Sequence, residues 1–117
     1  MTQKLIEGVK HDGGKVRIDL IPPEVIFALA TVLTFGAQKY EDRNWELGMD
    51  WGRVFGALMR HMWAWWAGKG PTNESFLFGC VDEETGYSHL WHALTCLCFL
   101  VTYELRHVGK DDRHECT

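Results

Sequence analysis

Apolar residues follow a helical rhythm in three blocks of the chain. In the first, Val25, Ile26, Leu29, Val32, Leu33 and Gly36 keep the i, i+3, i+4 spacing of one helix face. Ala28, Ala30 and Phe35 extend that surface nearly all the way round, which predicts a helix buried on more than one side. Its start reads from Pro22-Pro23-Glu24, because proline suits the first helical turn and a glutamate there complements the helix dipole. Its end falls between Gly36 and Tyr40. The second block carries Val54, Phe55, Leu58, Met59, Met62, Trp65 and Trp66 as a core stripe. It predicts a helix from Trp51 or Gly52 to Ala67, stopped by Gly68-Lys-Gly-Pro71. In the third block Leu90, Trp91, Ala93, Leu94, Leu97, Phe99, Leu100 and Val101 surround the axis. That pattern predicts the central helix of a bundle, starting within Asp82–Ser88 and ending near His107. Asp82 can cap it, with Thr85 at the third position, while Gly86 makes Thr85 or Ser88 an alternative start.

No internal repeat and no useful strand-like alternation interrupt this pattern. The predicted fold is therefore all-α: one domain, a small helical bundle, with residues 22–107 as its core. Residues 1–21 form a polar, basic arm with a Gly13-Gly14 turn. Residues 108–117 read as a polar, frayed tail, in which His114 signals nothing. The run Phe76-Leu-Phe-Gly-Cys80 is an apolar loop suited to a lid or a subunit interface.

Composition narrows the function classes. The chain has 117 residues, 46% of them hydrophobic, and a net charge of −4 from 12 basic and 16 acidic side chains. It is globular, and its charge balance argues against a nucleic-acid surface while leaving room for a small phosphate ligand. Cys80, Cys96, Cys98 and Cys116 show neither zinc spacing nor a C-x-x-C pair. Together with the absence of a signal-peptide core in Met1–Gly8, this fits free thiols in a cytosol. The longest apolar run, Leu90 to Val101, is too short to span a bilayer, so no membrane association is expected.

The chemistry concentrates in Val81-Asp-Glu-Glu-Thr-Gly-Tyr-Ser-His-Leu-Trp-His-Ala93. His89 and His92 project from one helix face, and the carboxylates of Asp82 and Glu84 can share it if the helix begins early enough. His61, mid-helix beside Ala57, Ala64 and Trp65, can add a further imidazole. The spacing leaves two readings open: a metal site, or core histidines satisfied by hydrogen bonds below a cluster of N-terminal helix charges. Around this stretch lie cations that could meet phosphate: Lys15 and Arg17 on the arm, Lys39, and Arg60. Each could equally be a solvated surface charge, although Arg60 beside a buried stripe calls for an anionic partner. Tyr40, Asn44 and Trp45 form a polar-aromatic cluster that could receive a base or simply cover the core. Two tempting motifs fail. Gly8–Lys15 lacks the glycine and hydroxyl of a phosphate loop, since Val9 and Val16 occupy those positions. His11-Asp12 precedes two glycines that disfavour the helix a metal-binding His-Asp pair needs.

Taken in order, Lys10-x-Asp12-x-Gly14-Lys15-x-Arg17, Leu20-x-Pro22, Phe35-Gly-Ala-x-Lys39-Tyr40, Asn44-Trp45, Arg60-His61 and Asp82-x-Glu84-x-Gly86-x-x-His89-x-x-His92-Ala93 form a pattern. Over roughly residues 10–105 it resembles the phage-encoded MazG-like dATP/dGTP pyrophosphohydrolases of the MazZ type. The resemblance implies an all-α fold completed by oligomerisation, as a dimer or tetramer, working in the cytoplasm of the bacterial host. It implies cleavage of purine (d)NTPs between the α and β phosphorus, giving a monophosphate and pyrophosphate, with Mg²⁺ or Mn²⁺ as cofactor. The wider superfamily holds its metal with E-x-x-E and E-x-x-D helices. This chain has Arg60-His61 and His89-x-x-His92 at those places, and its stretch from Lys69 to Val81 is longer than the resemblance implies. The expected site therefore has Glu84 as catalytic base, Asp82, Glu84, His61, His89 and His92 around the metal, Lys15, Arg17, Lys39 and Arg60 on the phosphates, and Tyr40, Asn44 and Trp45 at the base. The rival expectations are a nucleotide-binding protein of the same fold without catalysis, and a structural helical subunit.

Overall fold

The computed structural model describes residues 7–11, 13–68 and 81–115. Asp12, the Lys69–Cys80 stretch with its apolar Phe76-Leu-Phe-Gly-Cys80 run, and Cys116 lie outside the described residues. The helix periodicity translates directly into structure. Helices α1 (Pro23–Lys39), α2 (Trp51–Ala67) and α3 (His89–Arg106) form, with single 3-10 turns at Ile18–Leu20 and Asn44–Leu47. Among the described residues there is no strand, so the fold is a small all-α bundle. Helix α3 is its centre: it packs along α2, more lightly along α1, and against the turn at 44–47. Among the described residues no helix is long and apolar enough to cross a membrane.

Proline at the first turn starts α1, and the Tyr40 N–H closes its end on the Gly36 carbonyl. Helix α3 takes the later of its possible starts. Ser88 caps it, its hydroxyl accepting from the Leu90 N–H at 3.1 Å. Asp82 instead organises a separate turn, accepting from the Glu84 and Thr85 N–H groups at 3.0 Å each. Gly86 sits there at φ 76°, a left-handed position that stops the turn from running on into the helix. The early helix start that would have stacked both carboxylates on the His89/His92 face does not occur.

The core is small. Its fully or nearly buried apolar residues are Ala28, Val32, Val54, Leu58, Ala64, Ala93 and Tyr103. Tyr103 is wholly buried and its hydroxyl donates to the Trp45 carbonyl at 2.5 Å. Helix α1 was expected to bury more than one side, yet Phe27 is 72% exposed and Val25 and Ile26 also face outward. Three helices offer α1 a neighbour on one side only. Trp63 and Trp66 of α2 and Val101 and Leu105 of α3 are likewise exposed.

The tail corrects the sequence expectation most clearly. Residues 108–113 are strapped onto the start of α2. The Trp51 N–H donates to the Lys110 carbonyl at 2.9 Å, Lys110 N–H to the Met49 carbonyl at 3.3 Å, and the Trp51 indole N–H to the Val108 carbonyl at 2.9 Å. Asp50, just before α2, makes no side-chain cap. Asp112 supplies one from the far end of the chain, its carboxylate accepting from the Gly52 N–H at 2.7 Å. Gly109 at φ 80° permits the approach, since a Cβ there would run into the Met49 carbonyl.

Candidate functional site

Side-by-side packing of α2 and α3 brings three imidazoles together. His61 and His89 approach Nδ1 to Nδ1 at 2.9 Å, and the His61 ring stacks on His92 with centroids 4.8 Å apart and planes 15° from parallel. The turn at 82–86 then folds back over the start of α3, held by the Asp82 N–H on the Tyr87 carbonyl. This delivers the Asp82 carboxylate to the cluster. Donor atoms of His61, Asp82 and His89 all lie within 4.8 Å of one another, each residue being partly buried.

His92 Nε2 pairs with the Thr85 hydroxyl at 2.7 Å. The same hydroxyl lies 3.3 Å from the Asp82 carboxylate. Thr85 therefore ties the acidic turn to the helix, and Asp82 stands 4.0 Å from His92. Burial, with further help from neighbouring His92 and His89, pushes His61 down to about 4. Burial also lowers His92, against the opposing pull of Asp82. For Asp82, burial alone would raise the pKa. The Thr85 backbone bond and the nearby imidazoles outweigh it, and the carboxyl ends below its ordinary value. At neutral pH His61 and His92 are thus neutral beside an ionised Asp82. Two imidazole nitrogens, from His61 and His89, and the Asp82 carboxylate oxygen are a donor set that fits a divalent metal ion, which would take the place of the proton shared between the two Nδ1 atoms.

The other expected residues are distributed around this trio. Glu84 is exposed, and its carboxylate binds the Lys39 ammonium at 2.5 Å, linking the acidic turn to the end of α1. That bond raises the Lys39 pKa. The Glu84 carboxylate is outside the His61–Asp82–His89 cluster. Arg60 is exposed next to His61 and makes no ion pair among the described residues. Arg17 pairs with Asp19 at 2.7 Å. Among the described residues no hydrogen bond or ion pair joins Lys15 or Arg17 to the histidines.

A cleft of about 820 Å³ opens between α1, the 40–49 segment and α3. Tyr40, Asn44 and Trp45 line it together, with His92, Thr95 and Phe99 contributed by α3. Trp45 stacks on Phe99 at 4.4 Å with planes 6° apart, which fixes an aromatic wall. Arg106 reaches across to Glu46 at 2.8 Å. Cys96 also faces the cleft, but burial pushes its thiol up to about 11, so it is no nucleophile at neutral pH. His92 belongs both to the cleft and to the imidazole stack, and it joins the two. Sequence reasoning passed over Thr85 and Phe99. Phe99 lies seven residues from His92, two turns along the same face, and that spacing could have found it. Thr85 stood out only as a capping position after Asp82; its bond to His92 depends on the fold-back of the turn and left no signal.

Residues 6–113 match the family described as dATP/dGTP diphosphohydrolase, N-terminal. A Salmonella phage PMBT28 protein named dATP/dGTP diphosphohydrolase is 33% identical over 106 residues, covering 91% of this chain and 33% of its own length. The chain thus spans about a third of that relative. No solved structure matches it. With a match that runs from the basic arm through all three helices into the strapped tail, the chain belongs to the dATP/dGTP diphosphohydrolase N-terminal family.

Proposed function

We propose that the chain hydrolyses purine deoxynucleoside triphosphates, dATP and dGTP, to the monophosphate and pyrophosphate in a metal-dependent reaction. The observation that carries this reading is the junction at His92 between an aromatic-walled cleft and an imidazole–carboxylate cluster. The family match and the name of the phage relative support it. His61, Asp82 and His89 would hold the divalent ion, Mg²⁺ or Mn²⁺, with His92 and Glu84 beside them. When bound, the ion would act as a Lewis acid that neutralises charge on the phosphates.

The remaining roles belong to the chain itself. Tyr40, Asn44 and Trp45 receive the base, against the Trp45–Phe99 stack. Lys39, Lys15, Arg17 and Arg60 clamp the triphosphate. Lys39 exchanges its Glu84 partner for a phosphate oxygen, which frees Glu84 to accept a proton from water. The water oxygen bonds to the α phosphorus, the bond from that phosphorus to the bridging oxygen breaks, and pyrophosphate leaves. The outward apolar side chains of α1, α2 and α3 suit association of copies of the chain. This reading sets the chemistry in the host cytoplasm, in keeping with the phage source of the named relative, and the acidic net charge makes nucleic acid an unfavourable partner.

The test is incubation of the protein with each dNTP and NTP and a series of divalent ions, with separation of products. Monophosphate and pyrophosphate in equal amounts are expected from dATP and dGTP. Release of inorganic phosphate, or no turnover with any ion, would overturn the proposal.

A further inference from the structure

We propose that His61, His89 and Asp82 form a transition-metal site that takes Mn²⁺, Fe²⁺, Co²⁺ or Zn²⁺ in preference to Mg²⁺, before any nucleotide binds. The inference rests on the metal-dependent reading above and narrows it. Two of the three converging donors are imidazole nitrogens, drawn from different helices, and their Nδ1 atoms already face each other at 2.9 Å. Mg²⁺ prefers oxygen ligands, gives up water reluctantly, and typically binds through carboxylates plus substrate phosphates. It gains little from imidazole. Imidazole suits Zn²⁺, Fe²⁺ and their neighbours in the first transition row.

The nearby oxygen donors that could convert the site into a Mg²⁺ cage are otherwise engaged. Glu84 is bound to Lys39, and the Thr85 hydroxyl is bound to His92. Among the described residues, Asp82 supplies the carboxylate that joins His61 and His89 in the trio. Its position is fixed by two backbone N–H groups of its own turn, so the acidic ligand is preorganised. His92 stacks on His61 and holds Thr85, which makes it a positioning residue for the other two sides of the site.

The experiment uses the full chain, stripped with a chelator and free of nucleotide. Titration with Co²⁺ is followed by visible d–d absorption, and titrations with Mn²⁺, Zn²⁺ and Mg²⁺ by calorimetry and by Tm. Saturable Co²⁺ bands and a raised Tm with Mn²⁺ or Zn²⁺ are expected, with Mg²⁺ at least about tenfold weaker. His61→Ala and His89→Gln should each weaken transition-metal binding by at least about tenfold, whereas His114→Ala in the tail should not. The wild-type comparison of Mg²⁺ with Mn²⁺ stands even if a variant fails to fold. Mg²⁺ binding as tight as Mn²⁺, or Co²⁺ bands unchanged in folded His61→Ala and His89→Gln proteins, would overturn the inference. Pyrophosphate release measured on the same samples separates the two proposals. Turnover with Mg²⁺ and no transition-metal binding sinks the metal preference alone, while transition-metal binding without turnover with any ion sinks the enzymatic reading alone.

Discussion

Substitution of Asp112 tests whether a tail residue caps a helix 60 positions earlier. The Asp112 carboxylate accepts the Gly52 N–H at 2.7 Å, at the N-terminus of α2. Loss of a helix cap costs about 1 kcal/mol, within a range of roughly 0.5–2. Loss of an anion beside the helix dipole adds about 0.3–1 kcal/mol at an exposed site. Asp112→Ala should therefore destabilise by about 1–2 kcal/mol, which lowers Tm by roughly 4–8 °C or more for a domain of this size. Asp112→Asn keeps an acceptor and loses only the charge, so its cost should be about 0.3–1 kcal/mol and should shrink as salt is raised. Asp50 occupies the position just before α2, where a cap usually stands, but its side chain makes no such bond. Asp50→Ala should change stability by less than about 0.5 kcal/mol. Urea and thermal unfolding at one fixed protein concentration would measure all three, which matters if copies associate. The reasoning is refuted if Asp50→Ala costs as much as Asp112→Ala, or if Asp112→Ala costs nothing.

Other consequences are open to direct measurement. Tyr103→Phe removes a buried hydroxyl bond, but the Trp45 carbonyl keeps the Gly48 N–H, so the loss should stay near 1 kcal/mol in urea unfolding. A cost above about 3 kcal/mol would contradict that sharing. His61 sits at about 4 in the fold against an ordinary 6.5, so the unfolded chain binds the proton first. The stability of metal-free protein should be fully present above about pH 6.5 and fall as pH drops through about 4, with a shallower fall in His61→Gln; a flat urea-midpoint profile would oppose this. Glu84→Gln should lower kcat by about 10²-fold or more if Glu84 takes the proton, with Tm little changed because the residue is exposed. Full activity in a folded Glu84→Gln protein would remove Glu84 from the reaction.

How far the sequence could be read depended on distance along the chain. The bodies of α1, α2 and α3 were legible because an apolar stripe repeats every turn and is a local property. So was the meeting of His61 with His89 and His92, since each lies on a predictable inward face. The route of Asp82 was not. Its carboxylate arrives through a turn closed by Gly86, whereas the helix extension that the acidic residues suggested is absent. Polarity alone made residues 108–113 look frayed. Their order comes from backbone bonds to Met49 and Trp51 and from one carboxylate–amide contact, none of which leaves a periodic trace. The pairing of Lys39 with Glu84 was hidden for the same reason: two exposed charges 45 residues apart show no mutual spacing.

The tail strap also sets an order of events during synthesis. Helices are local and can form as soon as they emerge, but the start of α2 is completed only by Lys110 and Asp112. At about 5–20 residues per second, the roughly 60 residues between them take about 3–12 s to be translated. Through that interval the Trp51 indole and the Gly52 amide wait without their partners, and α2 begins with an uncapped first turn. The clasp closes a long loop, which makes it entropically late as well as later in synthesis than the helix it completes. A ribosome pause before Lys110 and Asp112 emerge would therefore hold the three helices formed and this fastening undone.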